Sequence, residues 1–331
     1  MKLETNYLGK KLRSPLVVSA SPLSQEIENI KRMEEAGAGA VVLYSLFEEQ
    51  IRAEAEEMEE RMEQGMGLSA EGVSYFPPID SFKLGPEEYL EHIRKAKDAV
   101  NIPIIGSLNG STLGGWTEYA ALMQEAGVDA VELNIYSIPT DASKTSGDVE
   151  ASYLEILRAV KEKVSIPVAV KLSPFFSNLA NMASRLDGAG AQGLVLFNRF
   201  FQPDVDLESL SVTPKVIWST PFAQRLPLRW VAILSGQIKS DLAATSGIYT
   251  AQDVLKMVSV GASVTMLYSA LARQGIGHLK TLETEMTEWL EAHEYGSLSE
   301  LKGTLSQTKI ADPTAFERAQ FVKSLHSPPK V

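Results

Sequence analysis

Glu125-Ala-Gly-Val-Asp-Ala-Val-Glu-Leu-Asn-Ile-Tyr-Ser-Ile-Pro139 runs from a helix end, through a glycine, along a short apolar strand and out into polar residues. The apolar run from Ala130 to Leu133 has the length of a fully buried strand, and Asn134 and Ser137 follow where a parallel strand ends and its loop begins. The first half of this plan recurs in Glu35-Ala-Gly-Ala-Gly-Ala-Val-Val-Leu43, Gly188-Ala-Gly-Ala-Gln-Gly-Leu-Val-Leu196 and Val260-Gly-Ala-Ser-Val-Thr-Met-Leu267. Glycine at such a junction takes the left-handed conformation that stops a helix. Two further entries, Val100-Asn-Ile-Pro-Ile-Ile-Gly106 and Val164-Ser-Ile-Pro-Val-Ala-Val170, open a strand with proline, where no central ladder bond is lost. Leu16 to Ser19, after Ser14-Pro15, and Ser240 to Ala244, before Thr245-Ser246-Gly247, complete a set of eight.

Between these strands lie amphipathic stretches such as Tyr153, Leu154, Ile156, Leu157 and Val160. Eight strands alternating with helices favour a closed (β/α)8 barrel, the TIM-barrel fold, over an open sheet. No composition break marks a second domain. The expectation is one domain over 1–331, with the barrel in about 1–290 and a tail in about 291–331.

Three segments stand outside the repeat. Leu3 to Arg13 reads as an N-terminal hairpin closing the barrel floor. Glu48 to Met66, dense in Glu, Arg, Ala and Met, reads as a well-solvated helix, and Gly67 to Lys83 then forms a long loop after the second barrel strand. A loop of that length at the active end is a lid or binding element, against the plainer reading of a solvated charged face. Asp312-Pro313 reads as an N-cap and first helical position, predicting a short C-terminal helix to about Ser324.

Composition sets further bounds. The chain has 331 residues, a net charge of −11 and no cysteine. Without cysteine there are no disulfides, thiolate metal sites or thiol nucleophile, which fits a cytoplasmic protein. The acidic balance argues against a general nucleic-acid surface. No apolar run is long enough to span a bilayer, and the N-terminus lacks the apolar core of a signal peptide. His92, His278, His293 and His326 are scattered, so no metal site is expected.

Barrel active sites are built at the C-terminal ends of the strands. Asn134 and Ser137 there could hold a ligand and move a proton, or could simply cap a turn. Thr245-Ser246-Gly247 and Leu267-Tyr268-Ser269-Ala270 end the last two strands, where barrels commonly hold a phosphate on backbone N–H groups. Lys171, at the end of the apolar strand Val168 to Leu172, must find a partner, since an unpaired buried ammonium is costly. A neighbouring strand-end carboxylate would serve as readily as a ligand.

Taken in order, these residues resemble the FMN-dependent dihydroorotate dehydrogenase family, including the flavin barrel of dihydropyrimidine dehydrogenase, over roughly residues 1 to 290. Ser14-Pro-Leu-Val-Val-Ser-Ala-Ser-Pro22 is similar to the family's opening strand. The resemblance implies an FMN site formed by Ser19, Ala20, Ser45, Asn109, Asn134, Lys171, Thr220, Ser246, Gly247, Tyr268 and Ser269. It implies substrate contacts at Asn134, Asn198, Arg199 and Tyr44, with Ser137 as the catalytic proton-transfer group. Two positions depart from the family: Pro139 stands for its second asparagine, and Leu43-Tyr44-Ser45 for its Thr-Lys-Ser. The substrate-binding asparagine loop that normally follows is also absent, Val73-Ser-Tyr-Phe-Pro-Pro78 occupying that region. Arg199 is then the nearest candidate cation for a substrate carboxylate.

The implied activity is oxidation of dihydroorotate to orotate in pyrimidine biosynthesis. The alternatives are another dihydropyrimidine or enamide as substrate, or a non-catalytic FMN-binding protein that docks a partner through its Glu-rich helix. A homodimer and a separate electron-transfer partner would both fit the family.

Overall fold

The structure, a computed structural model, describes residues 2–49, 51, 85–199, 202–214, 217–318 and 321–322. It opens with a hairpin, β1 (Thr5–Tyr7) against β2 (Lys10–Leu12). Eight parallel strands then close a barrel: β3 (Leu16–Val18), β4 (Ala40–Phe47), β5 (Ile104–Asn109), β6 (Ala130–Asn134), β7 (Val168–Leu172), β8 (Gly193–Leu196), β11 (Asp241–Thr245) and β12 (Val264–Leu267). Between β8 and β11 a second antiparallel hairpin, β9 (Pro203–Asp206) with β10 (Ser211–Pro214), stands outside the barrel. All eight strands expected from the junctions are present.

The helices wrapping the barrel are α1 (Ile27–Glu35), α2 (Gly85–Ala99), α3 (Leu113–Glu125), α4 (Ser146–Lys163), α5 (Leu179–Gly188), α6 (Arg225–Leu234), α7 (Ala251–Val260), α8 (Ser269–Gln274) and α9 (His278–Ala292), with α10 (Leu298–Leu301) in the tail. The junction chemistry works as the sequence implies. Gly127 ends α3 at φ +100, a conformation that costs an L-residue steric strain, and its counterparts Gly37, Gly190 and Gly261 do the same. Pro15, Pro103 and Pro167 precede β3, β5 and β7 and still accept from the neighbouring strands: Thr265 N–H, Val41 N–H and Val131 N–H donate to their carbonyls. Each proline thus keeps its carbonyl in the ladder, and the N–H it lacks lies just ahead of the strand.

Two apolar shells result. The outer one packs the helices on the strands. The inner one gathers Val17, Ala40, Val42, Ile105, Ala130, Ala169, Val195, Ala243, Val264 and Met266, drawn from all eight barrel strands, with Tyr7, Leu8 and Leu12 of the first hairpin. A cluster to which every barrel strand contributes and no helix does is the barrel interior. The hairpin thus plugs the floor, as expected. Its two-residue turn, Leu8-Gly9, has both residues at positive φ (+51 and +71), the mirror-image turn that matches strand twist. Leucine tolerates this because its side chain is buried and its N–H donates to Asp241 Oδ2 at 2.9 Å.

Two expectations at the periphery change. A helix does begin at Glu48, as expected, but that first residue is buried and not solvated, for a reason given below. Pro313–Phe316 forms a 3₁₀ turn after Asp312, in place of the first turn of an α-helix. Beyond these, Glu49 and Ile51 are helical, as are Arg318, Phe321 and Val322; the rest of both segments, including the Gly67 to Lys83 loop, lies outside the described residues. Among the described residues no helix is long and apolar enough to cross a membrane.

Candidate active site

Because side chains alternate along a strand, the residues two beyond the inner apolar cluster face the same interior nearer the C-terminal mouth. There the chemistry changes from apolar to polar. Ala130 is followed by Glu132 and Asn134, Ala169 by Lys171 and Ser173, Ile105 by Ser107 and Asn109, and Val17 by Ser19. Glu132, Lys171, Ser107, Asn109, Ser173 and Ser19 are all buried.

The most consequential local feature lies on β4. Val42 pairs with Ile105 but Ser45 pairs with Ser107, so β4 carries one extra residue at a β-bulge. Without it Tyr44 would follow Val42 inward. With it Ser45 turns toward Ser107, and the two hydroxyls meet at 2.8 Å. The Tyr44 ring instead packs on α2, edge-on to Tyr89 with centroids 4.9 Å apart and tilted on His92 at 5.4 Å. Burial pushes its phenol pKa up, with the charge of Glu88 adding to the effect. The structure therefore packs the Tyr44 ring with the outer apolar shell and not beside Ser45 and Ser107.

Next around the mouth, Asn134 closes β6, the neighbour of β5, and Asn198 follows β8 two strands further on. Asn198 Nδ2 donates to Asn134 Oδ1 at 2.5 Å. Lys171, on the strand between them, reaches Glu132 Oε1 at 3.2 Å with both side chains almost fully buried. The strand-end carboxylate considered as a partner for Lys171 is thus real, and it is Glu132. Ser137 and Arg199 are exposed, just beyond Asn134 and Asn198.

The third part of the mouth is a backbone cradle. Ser246 and Gly247 follow β11 with φ +79 and +75, successive left-handed residues of a kind that aim N–H groups into one concavity. A Cβ on Gly247 would sit 2.7 Å from the Thr220 carbonyl oxygen and 2.5 Å from the Gln224 nitrogen, so only glycine fits beneath that segment. The segment is pinned from several sides. Gln224 Nε2 donates to Asp253 Oδ1 at 2.9 Å, Tyr249 Oη donates to the Ser219 carbonyl, and Ser219 Oγ donates to Ser269 Oγ at 3.0 Å. Asp253 also caps α7 in a reciprocal box with Thr250. Burial alone would raise its pKa, but hydrogen bonds from Gln224, Tyr249 and Thr250 outweigh this and hold the carboxyl low. Thr220, Ser246, Gly247, Tyr268 and Ser269 are thereby gathered across the β11 and β12 loops. Ser19 joins them through its N–H, which donates to the Leu267 carbonyl at 2.9 Å, with Ala20 next in chain.

Glu48 holds the remaining sector. Its carboxylate accepts from Ser111 N–H at 2.6 Å, Thr112 N–H at 2.9 Å and Thr112 Oγ at 2.6 Å, clamping the loop that follows Asn109 onto the end of β4. Burial would raise its pKa, but the Thr112 and Ser111 bonds prevail and lower it. A reading by composition missed Glu48, Glu132 and Ser107. The last two carried a legible signal: each sits two residues before Asn134 or Asn109 and so on the same strand face.

Taken together, these features define a (β/α)8 barrel with a polar mouth, a carboxamide pair and a backbone cradle suited to an anion. The family model for dihydroorotate dehydrogenase matches residues 2–290. The chain belongs to the dihydroorotate dehydrogenase family. It is 26% identical over 306 residues to the protein of Thermoplasma volcanium named dihydroorotate dehydrogenase B (NAD(+)), catalytic subunit, a match covering 91% of this chain and 97% of that relative. Its identity to the Pyrococcus abyssi protein of the same name is 26% over 308 residues, covering 91% and 98%. A third protein of that name, from Anoxybacillus flavithermus, is 32% identical over 180 residues, covering 51% of this chain and 56% of the relative.

Proposed function

We propose that this chain is an FMN-dependent oxidoreductase acting on a CH–CH bond of a small cyclic amide, with dihydroorotate as its substrate in pyrimidine biosynthesis. The Asn134–Asn198 pair carries this reading. With one Asn198 N–H donated to the Asn134 carbonyl, the pair still offers the amide N–H groups of Asn134 and the carbonyl of Asn198. Those are the complements of a ring C=O and a ring N–H.

The residues at the mouth fit a flavin mononucleotide. The Ser246-Gly247 turn and the backbone at Tyr268-Ser269 would hold its phosphate, and Lys171 and Ser45 would face its ring. When bound, the flavin supplies hydride acceptance at its N5 position. Asn134 and Asn198 orient the substrate amide, and Ser137 moves a proton on the face opposite the hydride. The electron acceptor is a separate protein or small molecule, since a chain without cysteine supplies no thiolates for an iron–sulfur centre. We place the protein in the cytoplasm and expect a homodimer.

A second reading of the substrate has its own support. With Tyr44 turned onto α2 and Pro139 in place of an asparagine, the contacts for a carboxylate fall to Arg199, which favours an uncharged dihydropyrimidine or enamide. The purified protein is expected to be yellow and to release one FMN per chain. Anaerobic mixing with dihydroorotate and with uncharged dihydropyrimidines should bleach the flavin absorbance. FAD in the extract, or colourless protein that FMN does not reconstitute, would overturn the cofactor. Bleaching by uncharged rings alone would establish the second substrate, and no bleaching with any of them would mark a flavoprotein that has lost turnover.

A further inference from the structure

In one buried charged pair Lys171 has been assigned to the flavin ring, and its partner Glu132 is left without a role. Glu132 and Lys171 lie inside the barrel on adjacent strands, Nζ to Oε1 at 3.2 Å, with side-chain exposures of 1% and 9%. Glu132 Oε2 is buried without a hydrogen-bond partner, and so is the Tyr7 hydroxyl that rises from the hairpin floor. The two groups sense each other: Tyr7 titrates well above its usual range because it is buried and because Glu132 and Asp241 are close. A carboxylate placed this deep stabilises little by itself, since desolvation offsets much of the attraction in a buried pair. Ala130 and Ala169 beneath it show that the same strand faces accept small apolar residues one layer down.

We propose that Glu132 is a positioning residue that keeps Lys171 charged and aimed at the barrel mouth, so that the ammonium lies against the flavin edge that gains negative charge on reduction. The argument is electrostatic. An ammonium in a dry interior without a counter-charge becomes neutral sooner than remain ionised. Glu132 approaches Lys171 from the floor side, two residues deeper along β6 than Asn134, and leaves the upper side of Nζ to a ligand at the mouth. A neutral lysine would still fill space there but would no longer favour the electron-rich reduced ring.

The proposal rests on the flavin reading, and one set of samples separates the two. The flavin midpoint potential is measured in the wild type and in Glu132→Gln, Lys171→Met and the double variant, with FMN content and thermal stability recorded for each. Glu132→Gln is expected to shift the potential negative, toward the Lys171→Met value, and the double variant to match Lys171→Met alone. A wild-type or more positive potential in Glu132→Gln overturns the proposal, as does an additional shift in the double variant. If Glu132→Gln does not fold, recovery of folding in the double variant supports the coupling, and failure there too assigns Glu132 to the barrel fold alone. Colourless protein overturns the flavin reading and this proposal together, whereas yellow protein with an unmoved potential overturns only the pair.

Discussion

The lower and upper halves of the barrel interior are built from the same strands and do opposite things. In the lower half Ala130, Ala169, Ile105 and Val17 pack on Tyr7, Leu8 and Leu12. Two residues higher, Glu132, Lys171, Ser107 and Ser19 line a polar shaft that ends at Asn134, Asn109 and the Ser246-Gly247 cradle. The floor's contacts are non-directional and come from burial, so its worth is stability. The shaft's contacts are directional, and a polar group there is costly to leave unpartnered, so its worth is chemistry and its tolerance of change is low. Placing the two in series lets the plug exclude water from below the polar layer.

Three variants test this division, in order of expected effect. Ser137→Ala removes a hydroxyl at the mouth and should leave folding and FMN content intact while slowing flavin reduction by roughly 10²- to 10⁴-fold, the range usual for a lost general base. Stopped-flow reduction at wild-type rate would reduce Ser137 to a turn cap. Leu12→Ala, in the floor, should have the opposite profile. It is expected to cost about 2–5 kcal/mol of stability by leaving a cavity, with the reduction rate of the folded protein unchanged. A slowed reduction rate in folded Leu12→Ala would show that the halves are not separable.

The smallest effect belongs to Asp129, at the floor end of β6, which bonds Lys97 Nζ at 2.6 Å and the Ile104 N–H at 2.9 Å and lies 3.4 Å from Lys10 Nζ. Burial would raise its pKa, but the Lys97 and Ile104 bonds and the charges of Lys97 and Lys10 lower it overall. A carboxyl depressed in the folded state contributes stability above its unfolded pKa, and that contribution is lost as pH falls through the folded one. Asp129→Asn should therefore cost about 1–2 kcal/mol at neutral pH and progressively less below about pH 4. Thermal melts across that range check it, and a penalty constant with pH would break the assignment.

Much of the fold was legible because its signals are local. A glycine forced to positive φ at Gly127 and a proline opening a strand at Pro103 act within a few residues, so each junction reveals itself without its neighbours. The site was legible in part. Asn134 and Ser246-Gly247 announce themselves by their place at strand ends. The facing of Tyr44 was not legible because strand alternation predicts facing only while the register is regular, and nothing in Leu43-Tyr44-Ser45 marks a bulge.

What the sequence determined by itself is therefore the order of strands, the turn that closes the floor and the end of the barrel where polar residues collect, all consequences of backbone preferences and short-range periodicity. Only the tertiary structure decided that Ser45 and not Tyr44 faces Ser107, that Glu132 is the partner of Lys171, that Asn134 meets Asn198 across an intervening strand, and that Glu48, where a helix starts, is a buried clamp and not a solvated residue. These are contacts between residues from 39 to 64 positions apart. They depend on barrel closure and strand register, which no local preference encodes.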